Sequence, residues 1–195
     1  MKEQMFSKRI IGLTGSIASG KSTVLSCLAK LGAETISADK LVHELYQMPE
    51  VRQKLETWFG SSDRAQIAKA VFSSAAARKK IEQFFHPLVW RLAKEKLAAA
   101  TKPWIVFEVP LLFEKHWEDR MDMSVLVVAD PQTLPTRLKE RGFSLAAYER
   151  RRQAQLSEEE KIRRADVVIF NRGSKQALTV KVKRLYETLN TLYAE

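Results

Sequence analysis

Nine residues near the start of the chain limit what it can fold into more than any other feature. Gly15-Ser16-Ile17-Ala18-Ser19-Gly20-Lys21-Ser22-Thr23 fits the pattern G-x-x-x-x-G-K-[ST], directly after the apolar run Arg9–Leu13 and ahead of a helical stretch, Ser22–Leu31. A strand that turns sharply into a helix aims backbone N–H groups and the positive end of the helix dipole at one point, which is a seat for an anion. Gly15 and Gly20 supply the positive φ values and the close backbone approach that the turn needs, and Ala18, Ser19 and Thr23 complete the loop. Lys21 adds a point charge for the β- and γ-phosphates of a nucleotide. The Ser22 hydroxyl offers a ligand to Mg²⁺, which bridges the same phosphates. The loop predicts phosphate binding and leaves the reaction open, because a nucleotide switch carries the same loop.

Four further apolar or β-branched runs follow Arg9–Leu13: Glu34–Ser37, Trp104–Val109, Ser124–Ala129 and Asp166–Phe170. They read as buried parallel strands. Helical spacing falls between them, at Ser22–Leu31, Leu41–Tyr46, Ala75–Ala100 and Lys175–Tyr193, so strand and helix alternate and an α/β parallel sheet wrapped by helices is expected. Residues 41–100 hold no strand-like run and read as a helical insertion. The expected organisation is one domain with a core of residues 1–40, 101–135 and 164–195, that insertion, and a basic segment at 136–163.

The 195 residues are 45% hydrophobic and 29% charged, with no apolar run near the roughly 20 residues that span a bilayer. A single cysteine, Cys27, excludes an internal disulfide and a cysteine-based metal cluster, which fits a reducing, cytoplasmic setting. The net charge of +10 suits nucleic acid, membrane headgroups or polyphosphates alike. No RRM or zinc-finger pattern accompanies it, so neither nucleic acid nor membrane is the expected partner. The cations cluster at Arg137, Lys139 and Arg141, at Arg150 to Arg152, and at Lys161, Arg163 and Arg164.

Several side chains could turn phosphate binding into transfer. Asp39 follows the second strand, where strand ends of an open α/β sheet face a crevice, and a carboxylate there can align an acceptor hydroxyl and take its proton. Capping the helix that begins near Lys40 is a second role, compatible with the first. Glu108 ends the third strand, where an acid can hold the metal's water shell or touch the acceptor. Arg137 and Arg141 share a helix face, and with Arg151 they read as a lid that closes cations over the transferred group.

Separated motifs together resemble the dephospho-CoA kinase family. They are Gly12-Leu13-Thr14-Gly15 running into Ser19–Thr23, Ala38-Asp39, Arg64 eight residues before Phe72, His86-Pro87, and Pro110-Leu111-Leu112-Phe113-Glu114. Then come Arg137-Leu138 with Arg141, Arg151 with Gln155, Ala165–Ile169, and Asn171 two residues before Gly173. The resemblance implies a P-loop kinase fold with a lid, ATP and Mg²⁺ as cofactors, and dephospho-CoA as the small-molecule substrate. It implies Asp39 as base, Lys21 as phosphate lysine, Arg141 and Arg151 in the lid, and Asn171 near the adenine. Arg64, His86 and Glu108 fall to the substrate side, with the insertion binding the CoA moiety. The chain departs from the family's usual residues at Ser16 and Ala18, commonly glycines, and at Ser37 and Glu108, commonly aspartates.

Overall fold

In the computed structural model, residues 8–153 and 155–193 are described, apart from the side chains of Ala147, Arg150 and Arg151. The chain divides into two compact units, residues 1–36 with 101–195, and residues 37–100.

The first unit is built on a five-stranded sheet: β1 (Arg9–Gly15), β2 (Glu34–Ser37), β3 (Trp104–Glu108), β4 (Met123–Ala129) and β5 (Val167–Asn171), in the order β2-β3-β1-β4-β5. β1 pairs in parallel with β3 and β4, and β4 with β5. Successive residues are buried on both faces, Trp104 to Phe107 in β3 and Val125 to Ala129 in β4, which is why these strands read as continuous apolar runs rather than alternating ones. The strand expected over Asp166–Phe170 runs one residue later. Asp166 stays outside it because its carboxylate accepts from the Ser124 amide (2.7 Å) and hydroxyl (2.6 Å), pinning the starts of β4 and β5 together.

Helix α1 (Lys21–Lys30) leaves the phosphate loop and packs against α9 (Lys175–Leu192). Ser174 caps α9 by accepting from the Ala177 amide at 3.2 Å, and Leu178, Val182 and Leu189 fall on one face at helical spacing. Each such burial is worth about 1.5–3 kcal/mol before chain entropy is counted. The end of α9 is tied back by Trp104 Nε1, which donates to Asn190 Oδ1 at 2.7 Å.

The second unit is helical, as the lack of strand-like runs predicts. It contains α2 (Ala38–Leu45), α3 (Pro49–Phe59), α4 (Arg64–Ser73) and the 25-residue α5 (Ala75–Ala99). α2 and α4 both pack on α5, and Tyr46 stacks on Phe85 with centroids 5.0 Å apart. α5 starts earlier than Pro87 and passes through it. The proline removes one internal hydrogen bond, and buried Phe85, Val89 and Leu92 hold the helix together on either side.

The basic segment of the first unit forms three short helices, α6 (Leu134–Glu140), α7 (Leu145–Arg152) and α8 (Glu158–Arg164). Ser157 caps α8, whose first turn is Glu158 to Glu160 and whose last turn carries Lys161, Arg163 and Arg164, a charge order that matches the helix dipole.

Candidate active site

The site is assembled from the end of β1 outward. Gly15 has φ 149°, and a Cβ there would lie 2.3 Å from the Val127 carbonyl oxygen of β4. Gly20 has φ 106°, and a Cβ would lie 2.4 Å from Asn171 Nδ2. Backbone angle favours glycine at both positions, and at Gly15, where the neighbour is main chain, space demands it as well. Ala18 also sits in the left-handed region, at φ 61°, where an L-residue costs about 1–2 kcal/mol.

Lys21 Nζ donates to the carbonyls of Gly15 (2.6 Å) and Ser16 (2.9 Å), so the ammonium lies across the loop it belongs to. Arg141 Nη2 donates to Ser22 Oγ at 3.1 Å, which places its guanidinium on the first turn of α1. Arg137 turns elsewhere, to the Gly173 carbonyl at 3.5 Å. The shared helix face expected for these arginines gives way because Arg141 is the C-cap of α6, past the last helical turn. The Arg151 side chain lies outside the described residues.

Asn171 is the last residue of β5, rather than following it, and is 5% exposed. Its Nδ2 donates to the Ser19 carbonyl at 2.8 Å, so β5 holds the loop's far side. Ala18, Gly20, Thr23, Arg137, Arg141, Asn171 and Lys175 line a cavity of about 290 Å³. Ser19 Oγ and Arg137 Nη1 are buried without a hydrogen-bond partner among the described residues. Unpaired polar atoms beside a loop of converging amides suit an anionic ligand that completes them.

Glu108 ends β3, half-buried, in register with Leu13 of β1. The chain beyond it is tied to β1, since the Val109 amide donates to the Leu13 carbonyl at 2.9 Å and Thr14 Oγ1 to the Pro110 carbonyl at 3.3 Å. That loop ends at Glu114, whose carboxylate meets Lys161 Nζ at 2.8 Å and accepts from the Leu156 amide at 3.1 Å. Lys161 also donates to Gln155 Oε1 at 2.8 Å and is 2% exposed. Counted by sequence among the basic cluster, Lys161 is instead an internal ion-pair partner. Arg164 is likewise paired, with Glu118. Nothing in the sequence separates Lys161 from its solvated neighbours, because three of four flanking residues are charged.

A second cavity of about 430 Å³ adjoins the loop at Ser16 and reaches Ala129, Tyr148, Glu149, Arg152 and Lys161. Burial pushes the Glu158 carboxyl above its ordinary range, with neighbouring Glu159 adding to the effect.

In the helical unit, Asp39 is exposed in the first turn of α2, with Ser37 as the N-cap residue. The capping role expected for Asp39 therefore does not arise, since the helix starts at Ala38 rather than near Lys40. Arg64 begins α4, its guanidinium 5.8 Å from the Tyr46 ring centroid. Together with His43, Arg52, Glu56 and Asp63 these residues line a cavity of about 670 Å³. His86 is half-buried within α5.

Comparison with known proteins agrees with this geometry. The CoaE dephospho-CoA kinase family model matches residues 9–177. A dephospho-CoA kinase of Symbiobacterium thermophilum is 42% identical over 181 residues, 85% of this chain and 75% of that protein. A solved structure from Thermus thermophilus superposes with a TM-score of 0.84 at 36% identity, covering 94% of this chain and 98% of the other. A dephospho-CoA kinase structure from Campylobacter jejuni gives 0.64 at 25% identity, covering 93% and 97%. A phosphate loop braced by β4 and β5, an arginine on its serine, and a match across most of the sequence lead to one assignment: the chain belongs to the dephospho-CoA kinase family.

Proposed function

We propose that this kinase transfers the γ-phosphoryl group of ATP to the 3′-hydroxyl of the dephospho-CoA ribose, giving CoA and ADP. The observation that carries the reading is the phosphate loop itself, with two glycines at positive φ, Lys21 across it and Arg141 on Ser22, in a chain of this family. Phosphoryl transfer leaves the protein little covalent chemistry, so positioning and charge supply most of the rate. Lys21 and Arg141 stabilise negative charge on the transferred group, and Asp39 aligns the acceptor hydroxyl and accepts its proton. Arg151 joins them from the lid. Asn171 and the cavity beside it seat the nucleotide base. Arg64 and His86 serve the CoA moiety in the helical insertion, which together with the core and the lid makes up one kinase domain.

Mg²⁺ is the expected metal. The donors suit a hard ion that arrives with its phosphates, since Ser22 presents a hydroxyl at the start of α1 and no group of three His, Cys, Asp or Glu among the described residues forms a protein cage. Ser22 would hold it, with Glu108 outside its water shell, and the ion would neutralise charge between the β- and γ-phosphates. No helix among the described residues is long and apolar enough to cross a membrane. The single cysteine favours a reducing cytoplasm.

The test is ADP release with a panel of acceptors. Turnover with dephospho-CoA is expected, and a preference for a nucleoside monophosphate would replace this acceptor with another. Asp39→Asn should lower kcat about 10²–10⁴-fold while nucleotide affinity stays within twofold, the signature of a lost general base. Unchanged turnover in that variant would remove Asp39 from the mechanism.

A further inference from the structure

Two residues of the phosphate loop, Ser16 and Ala18, have the same neighbour. Ala18 is 3% exposed and packs with Leu138 of α6 and with Tyr148 of α7, which is itself 8% exposed. Ile17, Leu134 and Phe143 close around these three. Ser16 and Tyr148 line the same cavity beside the loop, and burial keeps the phenol above its ordinary range and so neutral at physiological pH. Tyr148 is the lone aromatic of α7, a helix otherwise made of charged and small residues with one exposed leucine.

Glycines at 16 and 18 would offer neither a hydroxyl nor a methyl group to the lid. A non-glycine residue held at φ 61° persists only where its surroundings over-determine it, and for Ala18 those surroundings are lid side chains. Loop and lid therefore hold each other.

We propose that Tyr148 is a positioning residue for phosphoryl transfer: it seats α7 on Ser16 and Ala18, and so fixes where the arginine-bearing turn that follows it stands relative to the phosphate loop. The proposal rests on the loop being the ATP seat. Tyr148 touches no reacting atom in this scheme. It acts by sparing the site a reorganisation when the lid closes, and by slowing the departure of the nucleotide beneath it.

A double-mutant cycle of Ser16→Gly and Tyr148→Phe tests it. Tyr148→Phe removes one oxygen and keeps the ring, so the fold is retained. Two quantities are read: kcat with dephospho-CoA, and the dissociation rate of a fluorescent ADP analogue. Each single variant should lower kcat about 5–20-fold and release the analogue at least about threefold faster, with the KM for dephospho-CoA within about twofold. The double variant should be no worse than the worse single. Effects that multiply, or a Tyr148→Phe enzyme within twofold of the parent on both quantities, overturn the proposal. A parent protein that binds the analogue but does not phosphorylate dephospho-CoA would overturn the acceptor assignment alone. The cycle would then be decided on the dissociation rate, where coupling supports the role of Tyr148 and additivity refutes it.

Discussion

Gly15 shows how little room a single position can leave. A methyl group there would meet a main-chain carbonyl at 2.3 Å, and backbone, unlike the end of a side chain, cannot swing away. Gly15→Ala combines overpacking of about 1–3 kcal/mol with a left-handed penalty of about 1–2 kcal/mol. A fall of the thermal midpoint by roughly 5–15 °C is expected in calorimetry, at about 2–4 °C per kcal/mol for a chain of this size. A midpoint within two degrees of the parent would show that β4 can yield. Lys21 is expected to be the opposite case, a side chain whose removal should spare the fold and harm the chemistry. Lys21→Met should lower kcat about 10²–10³-fold, the usual cost of deleting one charge stabiliser, with an unchanged circular dichroism spectrum. Activity kept within tenfold would mean that Arg141 and the metal carry the charge unaided. The motif made both residues legible in advance. Tyr148 was not legible, because its value comes from touching residues 130 positions away in the chain.

At the scale of elements, the basic helical segment is tied to the core by the buried pair between Lys161 of α8 and Glu114 of the loop after β3. Removing one partner strands the other charge in a dry site, at a cost of about 3–5 kcal/mol, whereas replacing both with apolar groups is often neutral. Lys161→Met should therefore lower the urea midpoint sharply, and Lys161→Met/Glu114→Leu should recover most of the loss. A double variant as unstable as the single one would mean that the Gln155 and Leu156 hydrogen bonds, rather than the charges, hold α7 and α8 in place. The element boundaries explain which sequence expectations shifted. Asp166 left β5 to bind Ser124, and α2 began at Ala38 because a buried alanine and Leu41 place its first turn against the unit's core.

For the whole molecule, the charge of +10 is the property with a measurable consequence. Two polyanionic substrates should be drawn to a cationic surface, and that attraction is screened over about 10 Å at 0.1 M salt. Raising KCl from about 50 to 500 mM should lower kcat/KM for dephospho-CoA several-fold and leave kcat nearly constant, as stopped-flow and steady-state assays can check. A salt-independent kcat/KM would show that the charge serves other ends, in part because Lys161 and Arg164 are already neutralised inside. The alternation of apolar and helical runs determined the sheet and its wrapping helices, and the loop motif determined the phosphate seat, since both rest on backbone geometry that neighbouring residues dictate. Tertiary structure alone decided that Asn171 braces Ser19, that Arg141 reaches Ser22 while Arg137 does not, and that one lysine of a basic run is interior. Those outcomes depend on contacts between distant segments, and a contact between distant segments has no local period or spacing by which a sequence could announce it.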